Sequence, residues 1–458
     1  MTHHPAVQTP VRSAVFRRSF RKKFPSAVRG EGVYVWDADG QRYLDFSGSA
    51  IVNFIGHGVP EISAAMAEQA RHLEFVHTSQ FTTPVAEEYA QELLDFAGDH
   101  FRGGSVYFTC GGSESIETAL KLARQFQLEA GQAKRFQVLS RAQGYHGSTL
   151  GALAVSGNKR RREIYLPMVR EFEHVAMPYC YRCSFDCADG CRNCGQQYAA
   201  EVERAIETAQ GQAAGFILEP MSGATLGAVV PPDGYLQAVA DICRKHGVLL
   251  IADEVMTGMG RTGRNFAVEH WDVAPDILVA AKGLSSGYAP LGAVIASKRV
   301  VDAIAAGSGA FLHGFTYNAH PISLAAGRAV LRHLQTRNLV SAAQSDKPGT
   351  AAEKLQCKLS TLLDLKAVGD VRGRGLLWGV EFVADKASKR PFPPELNFAG
   401  RVGQAAWKRG VMVYPMQGCV DGASGDHVMV APPAVISHEQ IEWAVTQLRD
   451  AIQESNPG

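Results

Sequence analysis

Two ionisable residues, Asp253 and Lys282, directly follow two short apolar runs with the sequences VLLIA and ILVAA. Apolar runs of this length, bounded by glycine and proline, are typical of buried parallel strands, and open α/β sheets place their chemistry at the carboxyl ends of such strands. We therefore expect a carboxylate and an amine at two neighbouring strand ends. Because burial disfavours the charged form of a lysine, the free amine of Lys282 becomes available to attack a carbonyl carbon.

This pair of residues fits one cofactor in particular. A carboxylate can hold a proton on a ring nitrogen, and a pyridine ring that carries this proton withdraws electrons from a bound substrate. Asp253 and Lys282 together therefore indicate pyridoxal 5'-phosphate. The ordinary alternative is that Lys282 only marks the point at which the chain reaches the surface.

A glycine-rich turn, Cys110-Gly111-Gly112-Ser113-Glu114-Ser115, ends one predicted strand and opens a helix. Backbone N–H groups and the positive end of a helix converge at such a turn and favour an anion, although a tight turn without a ligand is an equally ordinary interpretation. The turn lacks the GxGxxG and GK[ST] patterns, which argues against a nicotinamide or a nucleoside triphosphate. In the later loop GYHGST, the ring of Tyr145 could stack on a planar cofactor or only cover its own core.

The order of predicted elements specifies an α/β fold. From residue 105, short apolar strands alternate with helical stretches, which predicts a mostly parallel central sheet flanked by helices. Three segments are expected: an N-terminal arm and hairpin at 1–60, a large domain at 61–320, and a smaller C-terminal α+β domain at 321–458. The hairpin is predicted from VYVWDADGQRYLDF, and the last helix from a capping box at Ser437.

Composition excludes several classes of partner. The 458 residues are 46% hydrophobic and 20% charged with a net charge of +1, so neither nucleic acid nor a membrane is expected as a partner. The first 30 residues carry basic side chains and no acidic one. We interpret them as a solvated arm of a cytoplasmic protein, with a mitochondrial transit segment as the alternative.

An ordered set of motifs, from about residue 30 to about residue 450, closely resembles the class III aminotransferases, which are pyridoxal-phosphate enzymes of fold type I. The motifs that carry the resemblance are, in chain order, VYVWDADGQRYLDF, FTCGGSESIETALKLAR, GYHGST, FILEP, IADEVMTGMGRTG, LVAAKGLSSGYAPLGAV, FTYNAHP, DVRGRGLLWGVEF and DHVMVAPP.

The resemblance implies a role for each site residue. Lys282 would bond to the cofactor and move the proton between the cofactor and the substrate carbon, while Asp253 would pair with the ring nitrogen. Val255 and Tyr145 would pack on the two faces of the ring. The other implied contacts are Gly112, Ser113 and His146 to the cofactor, Thr316 to the phosphate of the neighbouring subunit's cofactor, and Glu219 on the substrate side.

The implied reaction moves an amino group from a primary amine or ω-amino compound to a 2-oxo acid, such as pyruvate or 2-oxoglutarate, by a ping-pong mechanism in a homodimer. Ser49 and Ala50 lie near positions where amine-specific members carry bulky residues, so a roomy substrate pocket is expected. The alternatives are a dialkylglycine decarboxylase or an aminomutase of the same fold. A catalytically inactive scaffold, with its cysteine-rich loop as a partner surface, is a further alternative.

Several departures from the family pattern affect the substrate carboxylate. Ser148 and Met429 stand where many members acting on ornithine or 4-aminobutyrate carry arginine, and no arginine lies in 420–425, where amine–pyruvate members have one. Met256 replaces a common glutamine. The possible substitutes for a carboxylate-binding residue are Arg141, the cluster of Arg160, Arg161 and Arg162, and His427.

Five of the nine cysteines lie in PYCYRCSFDCADGCRNCG, namely Cys180, Cys183, Cys187, Cys191 and Cys194. Two CxxC pairs, Cys180 with Cys183 and Cys191 with Cys194, could bind a structural zinc ion through four thiolates. The seven-residue spacer between the pairs is short for a zinc site. A disulfide and packed thiols are therefore the alternatives.

Overall fold

A seven-stranded sheet built from residues 105–296 lies at the centre of the molecule. The computed structural model describes residues 13–185, 191 and 193–457, so Cys187 lies outside the described residues. The strands of the described residues are β1 (Ala27–Glu31), β2 (Tyr34–Asp37), β3 (Arg42–Asp45), β4 (Ser105–Thr109), β5 (Gln137–Arg141), β6 (His174–Val175), β7 (Ala213–Leu218), β8 (Leu249–Asp253), β9 (Ile277–Ala280), β10 (Gly292–Ala296), β11 (Val368–Arg374), β12 (Leu377–Phe382), β13 (Val411–Met412), β14 (Tyr414–Gln417) and β15 (Asp426–Val430).

Helices cover both faces of the central sheet and the outside of the C-terminal part. The helices of the described residues are α1 (Gly48–Ile51), α2 (Pro60–His72), α3 (Pro84–Ala97), α4 (Gly112–Glu129), α5 (Leu150–Val155), α6 (Lys159–Arg162), α7 (Cys194–Thr208), α8 (Tyr235–His246), α9 (Lys298–Ala306), α10 (Pro321–Thr336), α11 (Leu339–Ala342), α12 (Ala351–Ser360), α13 (Phe398–Lys408) and α14 (His438–Ser455).

The strand order across the central sheet is β4-β10-β9-β8-β7-β5-β6. The five strands from β9 to β6 run parallel to one another, whereas β10 is antiparallel to both β4 and β9. The predicted α/β class with a mostly parallel sheet is confirmed. Because β8 and β9 are parallel neighbours, Asp253 and Lys282 follow adjacent strand ends, as the sequence predicts.

Strand β8 shows why these short runs are apolar throughout. Leu249 and Ile251 pack in the cluster that contains α4 and α9, and Leu250 and Ala252 pack in the cluster that contains α7 and α8. Both faces of the strand are therefore buried. Burial of each large aliphatic side chain contributes about 1.5–3 kcal/mol to folding, which fixes the position of the strand end that carries Asp253.

Two smaller sheets complete the fold. An antiparallel sheet in the order β11-β12-β15-β14 forms the C-terminal α+β unit, whose last helix, α14, begins with the predicted capping box between Ser437 and Gln440. The predicted hairpin of β2 and β3 is also confirmed. Strand β3 pairs in parallel with β13, so the N-terminal hairpin extends the C-terminal unit. The domain limits at residues 60 and 320 stay a prediction.

The guanidinium of Arg261 joins three distant segments. It donates hydrogen bonds to the carbonyl oxygens of Asn53 at 2.7 Å, Pro432 at 2.7 Å, Ala431 at 3.1 Å and Leu376 at 3.4 Å. The side chain is buried, and burial lowers its pKa to about 9. Its cost of desolvation is offset by hydrogen bonds to several carbonyl groups that would otherwise lack partners.

No helix among the residues that the structure describes has both the length and the apolar character needed to span a membrane.

Candidate active site

A cavity of about 320 Å³ opens where the carboxyl ends of β4, β8 and β9 meet. Because β10 runs in the opposite direction, the residues before its amino end also reach this edge, and Pro290 and Leu291 line the wall. Five ionisable residues that the sequence assigned to the site line this cavity together: Glu219, Asp253, Lys282, Tyr145 and His146.

Lys282 lies just beyond β9 and is half-buried in the cavity wall. Burial lowers the pKa of its amine to about 8, against the opposing negative charges of Asp253 and Glu219, and the positive charges of Arg161 and Arg261 lower it further. Its backbone has a left-handed φ of 47°, held by N–H groups of Ser285 and Ser286 that donate to its carbonyl. The amine is thus available at a pH where an exposed lysine stays charged.

Asp253, at the end of β8, is buried and oriented by two donors. Nδ1 of His146 lies 2.7 Å from Oδ2 of Asp253, and the Val255 N–H donates to Oδ1 at 3.1 Å. Since a carboxylate only accepts hydrogen bonds, the shared proton belongs on Nδ1 of the imidazole. The Ser156 hydroxyl in turn accepts from the backbone N–H of His146 at 2.8 Å. Asp253 is therefore held rigidly with its charge directed into the cavity wall.

The glycine-rich turn lies at one end of the cavity. Gly111 and Gly112 open α4 without a side-chain cap, so the first N–H groups of this helix are available to a ligand. A Cβ atom at Gly112 would lie 3.2 Å from the Val255 side chain, which leaves little space for any larger residue. Ser113 Oγ accepts the Ser148 N–H at 3.1 Å and keeps its own proton for a ligand.

Tyr145 and Glu219 line the cavity between these two ends. The Tyr145 N–H donates to Oε2 of Glu219 at 3.3 Å, and the Gly223 N–H donates to Oε1 at 2.8 Å. Burial raises the pKa of Glu219, and the nearby charge of Asp253 raises it further. This combination of lysine, aspartate, phosphate-type turn and aromatic ring suits a phosphorylated pyridine cofactor.

The protein comparisons identify the family to which this geometry belongs. The aminotransferase class-III model matches residues 17–452. The uncharacterized aminotransferase YodT of Bacillus subtilis is 38% identical over 96% of this chain and 97% of its own length. The chain belongs to the class III aminotransferases. Enzymes of this class depend on pyridoxal phosphate.

Two further relatives of this class III aminotransferase have more specific names. A thermostable (S)-enantioselective omega-transaminase from Thermomicrobium roseum has a TM-score of 0.86 and 38% identity, covering 95% of this chain and 93% of that one. The putrescine–pyruvate aminotransferase of Pseudomonas aeruginosa is 33% identical over 93% of this chain and 90% of its own length.

Three residues that the sequence assigned to the site lie outside the cavity lining. Thr316 is exposed in the segment between α9 and α10. Ser49 and Ala50 lie in α1 with left-handed φ values of 47° and 65°, and Ser49 donates twice to the Asp45 carboxylate. Val52, just after α1, is the residue of this segment that lines the cavity. The substrate roles of Ser49 and Ala50, and the role of Thr316, stay predictions.

The structure separates the alternatives for a carboxylate-binding residue. Arg141 is buried and donates to the Glu219 carbonyl oxygen, and His427 is buried with Nε2 bonded to the Ala224 carbonyl at 2.8 Å. Arg162 lies within 3.6 Å of the Glu171 carboxylate, and Arg160 donates to Gln417 at 3.3 Å. Each of these four side chains contacts a polar group of the protein itself.

Arg161 differs from the other four alternatives. Its guanidinium carbon lies 4.3 Å from the centroid of the Tyr145 ring, and its charge reaches Lys282. No described carboxylate forms an ion pair with it. The sequence pointed to the cluster but not to this member, because only the fold shows which of three adjacent arginines stacks on the ring that lines the cavity.

Other cavity residues were not predicted from the sequence. Cys110 lines the wall together with Met221 and Thr257. Burial raises the pKa of the Cys110 thiol, and the nearby Glu114 carboxylate raises it further. The position of Cys110 at the start of the glycine-rich turn was the only feature of the sequence that could have placed it in the cavity wall.

The cysteine-rich segment forms a cluster away from this cavity. The sulfur atoms of Cys180, Cys191 and Cys194 all lie within 4.8 Å of one another. Cys183 Sγ lies 3.7 Å from the hydroxyl oxygen of Tyr198. Burial raises the pKa of Cys180 to about 11 and that of Cys194 to about 12 in the metal-free protein.

Proposed function

We propose that this aminotransferase binds pyridoxal 5'-phosphate in the 320 Å³ cavity and moves an amino group from a primary amine or ω-amino compound to a 2-oxo acid, such as pyruvate or 2-oxoglutarate, by a ping-pong mechanism. The observation that carries the proposal is Lys282. It lies at a strand end, desolvation in the cavity wall lowers its pKa to about 8, and it lines the same cavity as the Asp253–His146 pair.

The residues of the cavity fit the cofactor at each of its groups. The uncapped amino end of α4, with Gly112 and Ser113, suits the phosphate. Asp253 suits the ring nitrogen, since a buried carboxylate favours a proton there. Val255 and Tyr145 line the cavity and suit the two faces of a planar ring.

When bound, the cofactor supplies an aldehyde carbon and an electron-withdrawing ring. Lys282 would hold that carbon through Nζ and, once an incoming amine had displaced it, would take up and return the proton of the substrate carbon. His146 would keep Asp253 oriented so that its carboxylate favours a proton on the ring nitrogen. Apolar residues that line the cavity with Lys282, such as Val52 and Leu291, would limit the access of water to this proton transfer.

Arg161 is the proposed binding residue for the acceptor carboxylate. Its guanidinium stacks on the Tyr145 ring, carries no ion pair among the described residues, and lies close enough to Lys282 to influence its pKa. Arginine recognises a carboxylate through two parallel hydrogen bonds, which a 2-oxo acid offers and a simple amine does not. This difference lets one residue favour the acceptor without hindering the amine donor.

The names of two relatives support the substrate class. The Thermomicrobium roseum protein is named an omega-transaminase, and the Pseudomonas aeruginosa protein is named for putrescine and pyruvate. Both names fit an amine donor that lacks a carboxylate beside its amino group. They also fit pyruvate as an acceptor.

A homodimer is part of the proposal. Thr316 is exposed, and the exposed side chains of Leu312 and Tyr317 flank it, which suits a surface that another subunit covers. In such a dimer Thr316 would contact the cofactor phosphate of the neighbouring subunit. Light scattering should give twice the chain mass, and a monomer at working concentration would contradict this arrangement.

The reaction is tested by trapping and by a substrate panel. Borohydride reduction of the cofactor-bound enzyme, followed by peptide mapping, should place the label on Lys282. Amines are then tested with pyruvate and 2-oxoglutarate while each half-reaction is followed separately. Label at another residue, release of CO₂ with a ketone, or product formation without an acceptor acid would overturn the proposal.

Replacing Arg161 tests the acceptor site. Arg161→Gln should raise the KM for the 2-oxo acid by about 10- to 100-fold, because a charged hydrogen bond contributes about 1.5–3 kcal/mol, and leave the amine half-reaction nearly unchanged. Arg160→Gln is the matched control, since Arg160 is directed to Gln417. Equal effects of the two variants would remove Arg161 from the site.

A further inference from the structure

The described cysteines between Tyr179 and Cys194 bring their sulfur atoms together, and none of them lines the catalytic cavity. Cys180 Sγ lies 3.9 Å from Cys194 Sγ, and Cys191 Sγ lies within 4.8 Å of both. A disulfide requires sulfur atoms about 2.05 Å apart, so this spacing is too long for a bond between Cys180 and Cys194. Four sulfurs bound tetrahedrally at about 2.3 Å from Zn²⁺ are separated by about 3.8 Å, which is close to the observed distance.

The two halves of the cluster come from different local structures. Cys180 lies in a single 3-10 turn, and Cys183 follows it with its N–H donating to the Cys180 carbonyl at 3.2 Å. Cys194 is the first residue of α7 and is buried. A tight turn that carries one CxxC pair and a helix start that carries the other are common components of structural zinc sites.

Tyr198 holds the fourth sulfur, that of Cys183, near this group of three, where it influences the thiols of Cys180 and Cys194 electrostatically. It lies one turn along α7 from Cys194, and its hydroxyl donates to Cys183 Sγ at 3.7 Å. The same hydroxyl accepts the Ser184 N–H at 3.1 Å, and the ring packs edge-on against Phe185 with centroids 4.7 Å apart. Cys183 is therefore held against the face of the helix that carries Cys194.

We infer that Cys180, Cys183, Cys191 and Cys194 bind one structural Zn²⁺ ion as four thiolates. The site is closed, because protein sulfurs supply all four ligands and leave no position for a substrate or water. The ion therefore has no part in the transfer of the amino group. Its role is to hold the turn that carries Cys180 and Cys183 against the start of α7.

Residues next to the proposed zinc site, Tyr179 and Arg182, contact the C-terminal unit. Arg182 donates from Nε to Glu381 Oε1 at 2.7 Å and from Nη1 to the Lys389 carbonyl at 2.9 Å, and the Tyr179 hydroxyl donates to Oε2 of Glu381. Arg372 pairs with the same carboxylate at 2.7 Å. Zinc would therefore stabilise the contact between this segment and β12.

Metal analysis of the wild-type holoenzyme tests the site directly. Protein purified without a histidine tag should contain about one zinc per chain, and X-ray absorption should show four sulfur neighbours at about 2.3 Å. Absence of zinc from fully reduced protein that was grown with added zinc would overturn the inference. So would nitrogen or oxygen atoms in the first coordination shell.

Variants separate the ligands from other cysteines. Cys183→Ser and Cys194→Ser should each lose most of the zinc, whereas Cys357→Ser, which changes an exposed thiol elsewhere, should keep it. Cobalt substitution gives a second measurement that does not depend on stable variants, because Co²⁺ held by four thiolates has strong visible bands. Loss of zinc in Cys357→Ser, or its retention in both ligand variants, would overturn the assignment.

A chelator distinguishes this site from the catalytic one. Removing zinc should lower the thermal midpoint of the holoenzyme by several degrees and leave the cofactor bound, since the two sites share no residue. An unchanged midpoint after complete removal of the metal would overturn the structural role. Absence of transaminase activity in the zinc-loaded protein would instead count against the proposed reaction alone.

Discussion

At the scale of single residues, the reactive pair was predictable and its surroundings were not. Asp253 and Lys282 each end an apolar run, and this position in the sequence requires them to lie at a buried sheet edge. The hydrogen bond between His146 and Asp253 joins residues 107 positions apart in the sequence, and no local sequence pattern predicts a contact over such a separation. The stacking of Arg161 on Tyr145 could not be predicted from the sequence for a related reason. The start of α6 sets which of its arginines faces the ring, and only the structure shows it.

The lowered pKa of Lys282 makes the stability of the cofactor-free protein depend on pH. Its folded-state pKa of about 8 is below its ordinary value near 10.5, so the unfolded chain binds more protons between these two pH values. The free energy of unfolding therefore rises with pH in this window, and below pH 8 the cost of burying the charge is fully present. Each pH unit between the two pKa values corresponds to about 1.4 kcal/mol.

Lys282→Met should remove this cost. At pH 7 the cofactor-free variant should be more stable than the wild type by about 3 kcal/mol, because methionine buries no charge. The difference should shrink as pH rises above 8 and vanish near pH 10.5. Urea unfolding of both proteins at a series of pH values measures it. A difference that does not change with pH would show that Lys282 is charged to the same degree in both states.

At the scale of elements, the sequence defined the central strands more closely than their directions. The observed β8 and β9 lie within one residue of the two apolar runs, VLLIA and ILVAA, that predicted them. Periodicity could not show that β10 is antiparallel, because a strand buried on both faces has the same apolar sequence in either direction. The reversal matters for function, since it brings Pro290 and Leu291 to the cavity edge.

Gly147 lies beside Ser113, which we propose as a phosphate-binding residue, and a larger residue at position 147 should displace it. Gly147 has a φ of 139°, and a Cβ atom would lie 2.6 Å from Ser113 Oγ and 2.9 Å from Ala152 Cβ. Gly147→Ala should therefore displace Ser113 and weaken cofactor binding by about 10-fold or more, since one charged hydrogen bond is worth about 1.5–3 kcal/mol. Titration of the cofactor-free protein measures the dissociation constant.

Gly131→Ala controls for backbone strain alone. Gly131 also has a left-handed φ, of 74°, but a Cβ atom there would have no neighbour within 4 Å. This variant should lose about 1 kcal/mol of stability and keep the wild-type dissociation constant for the cofactor. Equal weakening of cofactor binding in the two variants would mean that Ser113 does not position the phosphate.

At the scale of the whole molecule, three segments that are distant in sequence contact the buried guanidinium of Arg261. Arg261 receives no direct carboxylate partner among the described residues and bonds only to carbonyl oxygens of Asn53, Leu376, Ala431 and Pro432. The sequence placed this arginine in a family motif without indicating its contacts. Long-range packing decides them, as it decides the pairing of β3 with β13.

Arg261→Met should lower stability by several kcal/mol. The variant removes a costly buried charge but leaves buried carbonyl groups without donors, each at a cost of about 1–3 kcal/mol. Thermal and urea unfolding measure the loss. Arg264→Met, at an exposed position three residues on, should change stability by less than about 0.5 kcal/mol. An Arg261→Met variant as stable as the wild type would show that the guanidinium does not hold these segments together.

The same four-carbonyl contact limits how the enzyme can open. A large movement of the C-terminal unit would break the hydrogen bonds of the Arg261 guanidinium and leave a buried positive charge without acceptors. We therefore expect bulky amines to enter by a local rearrangement at the rim of the cavity, in which Arg161 turns away from Tyr145. The contact between the C-terminal unit and the rest of the protein should stay intact.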